Sequence, residues 1–173
     1  MKKLISTIAI LVFAVIFTND ANAQKFRPLD KSPADVVLSP TRGADKVLKI
    51  VYSRPQLDGR SLDKLAPNGK VWRTGANEAS QITFYKDVNF GGEEVKAGTY
   101  SLFTIPGEKE WTVIINSATN DWGAFSYNKD KDVARVKATV TKSADSIEAF
   151  SITVQDGKLY LGWANTIVSV PVK

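Results

Sequence analysis

The sequence predicts an all-β fold: one antiparallel β-sandwich, jelly-roll-like, behind a short export signal. Three observations carry that reading. Apolar and polar residues alternate with a period of two through most of the chain after Pro40, and no segment keeps a 3.6 period long enough for a major helix. Turn-forming pairs, among them Gly91-Gly92, Pro106-Gly107 and Asp156-Gly157, recur at close spacing. No internal repeat or change of composition divides the chain further.

Taken in order, Lys2 and Lys3 precede an apolar run from Leu4 to Phe17, and Ala21-Asn22-Ala23 supplies a small-x-small cleavage pattern. Residues 1–23 therefore read as a signal peptide cut before Gln24. The run is shorter than the ~20 residues a membrane-crossing helix needs, so no transmembrane anchor is expected in the mature chain. With no cysteine, lipid anchoring is excluded too. Residues 24–40 are polar and punctuated by Pro28, Pro33 and Pro40. They read as an N-terminal arm, serving as linker, partner contact or covering strand, with one short helical turn near Ala34–Val37. The β-sandwich domain is expected over 41–173.

Within that domain the strand candidates are Val47–Ser53, Val71–Arg73, Gln81–Lys86, and Val88–Val95 folded back at Gly91-Gly92. Gly98–Ile105 follows, with Tyr100, Leu102 and Thr104 on one face and Ser101, Phe103 and Ile105 on the other. Next come Trp111–Ser117 and Val133–Val140, the latter with Val136, Ala138 and Val140 opposite Arg135, Lys137 and Thr139. Phe150, Ile152 and Val154 alternate up to the Asp156-Gly157 turn, and Leu159, Leu161 and Trp163 return on the partner strand. Thr166–Val172 closes the chain, Pro171 indicating an edge or end position.

Composition narrows the chemistry. There is no histidine and no cysteine, so imidazole bases, thiolate nucleophiles and His- or Cys-ligated metals are excluded. No cofactor is implied. The formal charge of +5, lowered by one when Lys2, Lys3 and Asp20 leave, is lysine interleaved with acids, so nucleic acid is not an expected partner. Asn128-Lys129-Asp130-Lys131-Asp132 has alternate oxygens like the start of a calcium loop. Val133 stands where that loop requires glycine, Thr139 stands where it requires glutamate, and the string reads as a solvated loop.

The densest cluster is Lys70-Val71-Trp72-Arg73-Thr74-Gly75-Ala76-Asn77-Glu78-Ala79-Ser80. One reading is structural: Trp72 fills the core, Gly75 supplies a positive-φ turn, Asn77 bonds its own backbone, and Arg73 pairs with Glu78 across the turn. The other is functional. The small Gly75-Ala76 pair lets a ligand approach the backbone between a guanidinium, an amide, a carboxylate and an indole. Tyr52, Arg54 and Arg60 carry similar weight, since three of the six arginines fall between Arg54 and Arg73.

The strings "YSRP", "GR", "GKVWRTGANEAS", "AGTYSLFTIP", "EWTVIIN" and "DWGAFSYNKDKDVARV" resemble the domain of unknown function 2911 family, exported bacterial proteins, over Ser39 to Pro171. The resemblance implies a compact β-rich domain and a cluster at Tyr52, Arg54, Arg60, Trp72, Arg73, Thr74, Asn77 and Glu78, but brings no established activity. The chain departs from that family's pattern at Asn68, at Ser61-Leu62-Asp63 and at Ala164, where many members carry an acidic residue.

Three function classes follow. The first, and the expectation, is a binding module for a small polar or glycan ligand in the periplasm or outside the cell, using Tyr52, Arg54, Arg60, Trp72, Arg73, Asn77 and Glu78. The second is a carboxylate-dependent hydrolase built on Glu78 with Asp58, Asp63 or Asp87 as second carboxylate. It ranks lower because no residue pair supplies a convincing acid and base. The third is a structural or partner-binding protein. No sequence feature reports the oligomeric state.

Overall fold

Alternation in sequence becomes alternation in burial. Along Leu48–Ser53, Leu48, Ile50 and Tyr52 point into the core while Lys49, Val51 and Ser53 stay half-covered. In the computed structural model, which describes residues 26–173, such segments form an all-β single domain. Residues 1–23, expected to be a signal peptide, lie outside the described residues.

The strands are β1 (Ala34–Ser39), β2 (Leu48–Ser53), β3 (Ser80–Phe84), β4 (Val88–Phe90), β5 (Glu93–Val95), β6 (Gly98–Ile105), β7 (Glu110–Asn116), β8 (Asp132–Gln155) and β9 (Lys158–Pro171). One short helix, α1 (Leu62–Leu65), follows β2, and a 3₁₀ turn over Lys129–Lys131 leads into β8. Seven strands pair antiparallel in the order β1-β2-β3-β6-β7-β8-β9, and β4 and β5 form a separate hairpin. The sheet curls on itself beyond β2: Gln56 bridges Ala149, Leu57 N–H donates to Glu148 O at 3.0 Å, and Phe150 N–H donates to Pro55 O at 2.9 Å. The second half of β8 is thereby stitched to the chain leaving β2.

The core centres on aromatic rings. Trp72 stacks on Trp163 at 5.3 Å and 16°, meets Trp111 edge-on at 6.1 Å, and meets Phe150 edge-on at 5.0 Å. Among the described residues no helix is long and apolar enough to cross a membrane.

Four expectations are corrected. Ala34–Ser39 is a strand rather than a helical turn, because Val36 and Val37 suit a pleated edge and the segment pairs with β2 from Ala34↔Ser53 to Ser39↔Leu48. Val71–Arg73 shrinks to one bridge, Trp72↔Thr104. The expected strands at 133–140 and 150–155 are one 24-residue strand, β8, whose largely exposed middle carries no apolar alternation to reveal it. The expected pair 159–163 and 166–172 likewise merges into β9. On β6 both faces are buried from Ser101 to Thr104, since Tyr127 lies edge-on over Phe103 at 5.1 Å.

Candidate functional site

The seven residues singled out in the sequence fall into two groups. Tyr52, Arg54, Arg60 and Trp72 are built into the frame. The Tyr52 hydroxyl accepts from Ile152 N–H at 3.0 Å and donates to Asp35 Oδ2 at 3.3 Å. Burial, ahead of the nearby Asp35 charge, pushes its pKa up. Arg54 donates through Nε to Phe150 O at 3.1 Å, through one terminal nitrogen to Ser151 Oγ at 2.8 Å, and through the other to Asp35 at 3.4 Å. Tyr52, Arg54 and Asp35 thus lace β1, β2 and β8 together. Arg60 folds back onto its own turn, donating to Leu57 O and Gln56 O, both at 2.9 Å.

Arg73, Asn77 and Glu78 sit instead on a turn at the surface. Its geometry comes from the backbone: Ser80 N–H donates to Arg73 O at 3.0 Å, and Ser80 Oγ donates to Thr74 O at 2.7 Å. The positive φ angles belong to Thr74 (54°) and Asn77 (61°), not to Gly75. Gly75 is required for a different reason, because a Cβ there would stand 3.0 Å from Ser53 O and 2.9 Å from Ser80 Oγ. The space beside Gly75 and Ala76 is filled by protein, which corrects the expectation of a ligand approaching the backbone at that point.

The loop between β7 and β8 runs alongside this turn. Glu78 bridges Trp122, Ala79 N–H donates to Asp121 O at 2.9 Å, and Gly123 N–H donates to Asn77 O at 3.1 Å. The loop leaves two large aromatic residues in solvent, Trp122 at 61% and Phe125 at 88% exposure. In this turn and loop, two polar atoms are buried without a hydrogen-bond partner among the described residues, Arg73 Nε and Asp121 Oδ2. Burial draws the Arg73 guanidinium pKa below its ordinary value. Among the described residues Arg73 and Glu78 join none of the three ion pairs, so the pair expected across the turn is not formed.

Glu78 and Tyr52 meet at a concavity of about 430 Å³, whose walls also carry Ser53, Gln81 and Asn120. Among the described residues Glu78 is its one lining carboxylate, and the lining mixes hydroxyl, amide and carboxylate groups. Asp58, Asp63 and Asp87 lie elsewhere: Asp58 N–H donates to Glu148, Asp63 lines a different cavity, and Asp87 pairs with Lys96 at 2.8 Å. The 128–132 string ends in contacts with protein donors. Asp132 accepts from Tyr127 Oη and from Asn116 Nδ2, both at 2.7 Å, and from Arg135.

Sequence reasoning did not single out Asp35, Asn120, Asp121, Trp122 or Phe125. The available signal was "DWGAF", two aromatic residues around a glycine in a stretch without strand alternation. The three departures from the family pattern also converge, since Leu62, Asp63, Asn68 and Ala164 line one further cavity.

A family model described as "Protein of unknown function (DUF2911)" matches residues 32–172, and the chain belongs to that family. No curated protein and no solved structure matches it.

Proposed function

We propose that this family member is an exported binding module of the cell envelope, holding a small polar or glycan ligand at the Glu78 concavity and the adjoining aromatic loop. The observation that carries the proposal is an open concavity lined by Ser53, Gln81, Asn120 and Glu78, the last joining no ion pair among the described residues and bridged to the exposed Trp122. Mixed donors and acceptors beside an apolar platform suit hydroxylated ligands. Arg73 and Asn77 do not line the concavity but sit on the turn that presents Glu78 to it, while Tyr52, Arg54, Arg60 and Trp72 hold the frame. The hydrolase alternative needs a second carboxylate about 5–10 Å from Glu78, and none of the three aspartates proposed for that role lines the concavity.

Saturation-transfer NMR on residues 24–173 with cellotriose and chitotriose tests this. Transfer to the sugar that falls in Glu78→Gln and in Trp122→Ala supports the reading. Transfer unchanged in both variants, or absent for every oligosaccharide and small organic acid tried, would sink it.

A further inference from the structure

A second cavity, sharing no lining residue with the first, opens between α1 and the place where β8 and β9 part. Its volume is about 330 Å³, at the small end of the ~300–1,000 Å³ typical of ligand pockets. Trp111 and Ala66 form the apolar base, and Asp63, Asn68, Glu108 and Lys142 stand at the rim. From these features we propose that the cavity is a binding site for one neutral, hydroxylated ring the size of a hexose.

Two linked backbone irregularities and one accessible hydroxyl coincide there. The β8–β9 register breaks between Lys142↔Thr166 and Ile147↔Ala164, so residues 143–146 bulge opposite Asn165 alone. Bulges of this kind re-aim side chains and gather beside functional sites. Ala164, a lining residue, holds φ 49°, a left-handed conformation that is strained for a non-glycine residue. Thr166, also lining, is only 8% exposed as a residue, but its hydroxyl is not among the buried unpartnered atoms, so it is accessible from the cavity it lines. A hydroxyl placed there can donate to or accept from water or a ligand.

The lining selects the ligand class. Two carboxylates against one ammonium oppose an anion, so phosphorylated or carboxylated molecules are disfavoured. Two amides, Asn68 and Asn165, together with the Thr166 hydroxyl offer donors and acceptors in the mixture that a ring of hydroxyls uses. A volume of about 330 Å³ accommodates one such ring.

The test is ligand-observed NMR on residues 24–173 with glucose, galactose, mannose and glucose 6-phosphate. At least one neutral hexose should bind saturably, and glucose 6-phosphate should bind at least about tenfold more weakly. Thr166→Val should weaken the hexose about tenfold. Should that variant fail to fold, the exposed rim variants Asp63→Asn and Asn165→Ala must each weaken binding several-fold. Three outcomes overturn the proposal: no saturable hexose, equal binding of the phosphorylated sugar, or binding lost in Glu78→Gln while these cavity variants retain it. The last would move the hexose to the other concavity and leave that reading standing.

Discussion

Arg54 and Arg73 lie nineteen positions apart in one cluster, and the structure gives their removal opposite signs. Arg54 makes two good hydrogen bonds, at 3.1 and 2.8 Å, to groups on β8 nearly a hundred residues away, plus a long 3.4 Å contact to Asp35. A charged donor contributes about 1.5–3 kcal/mol per bond, and the side chain is 35% exposed, so the lower end applies. Arg54→Met should therefore cost about 2–4 kcal/mol. Arg73 has no hydrogen-bond partner for its buried Nε, and leaving such a donor unpaired costs about 1–3 kcal/mol. Arg73→Met removes that cost and keeps the packing of the stem, so it should leave stability unchanged or raise it by about 1 kcal/mol. Urea unfolding followed by tryptophan fluorescence, with equal m-values for wild type and both variants, measures the difference. A loss of 3 kcal/mol or more in Arg73→Met is the size expected for breaking a buried ion pair. That result, or a neutral Arg54→Met, would refute the assignment of frame and turn.

Trp72→Ala should cost about 3–5 kcal/mol in the same assay, because it removes the ring on which Trp163, Trp111 and Phe150 all pack. Gly91→Ala should cost about 2–4 kcal/mol: at φ 60° an added Cβ collides with Val136 and reaches Val170 at 3.1 Å, combining backbone strain with overpacking. Of the five tyrosines, Tyr127 should ionise late in a 295 nm absorbance titration, since burial first and its bond to Asp132 second push its pKa up to about 12 from 10.0. Its neutral form is favoured in the fold, so that contribution is complete below about pH 10 and is lost as pH rises towards 12. Tyr127→Phe should delete the late step, and an unchanged titration curve would contradict the assignment.

Much of the sheet was legible because burial on one face imposes period two, and β2, β3 and both ends of β8 and β9 follow it, while β6 and β7, buried on both faces over most of their length, show themselves by β-branched and aromatic residues. The joins within β8 and β9 were not, because the middle of β8 is largely exposed and its register with β9 breaks on both sides of Ile147, so no apolar alternation marks it as strand. The division of the arginines was equally hidden. Arg54 finds its acceptors 96 and 97 residues along the chain, a distance no local pattern encodes. The aromatic loop shows the same limit from the other side: Trp122 and Phe125 are visible in the sequence, but tertiary placement alone separates them from core residues such as Trp111.

Backbone bonds explain why the turn can hold Arg73 and Glu78 without a mutual pair. Arg73 O, Asn77 O and Ala79 N–H are each engaged, the first by Ser80 and the other two by the loop between β7 and β8. Gly75 is clamped between Ser53 and Ser80, and Thr74 donates to Thr104 Oγ1 at 3.2 Å. The turn's shape is therefore set before either charged side chain is considered. A guanidinium kept half-buried, with an unpaired Nε, in a turn that does not need it counts against stability. Functional surfaces retain such groups because a ligand can complete the missing bond. Ligand added to wild type should then raise the urea midpoint through binding to the folded state, and the same addition to Arg73→Met should raise it less. Equal shifts in the two proteins would remove Arg73 from the site and leave its buried Nε as strain with another cause.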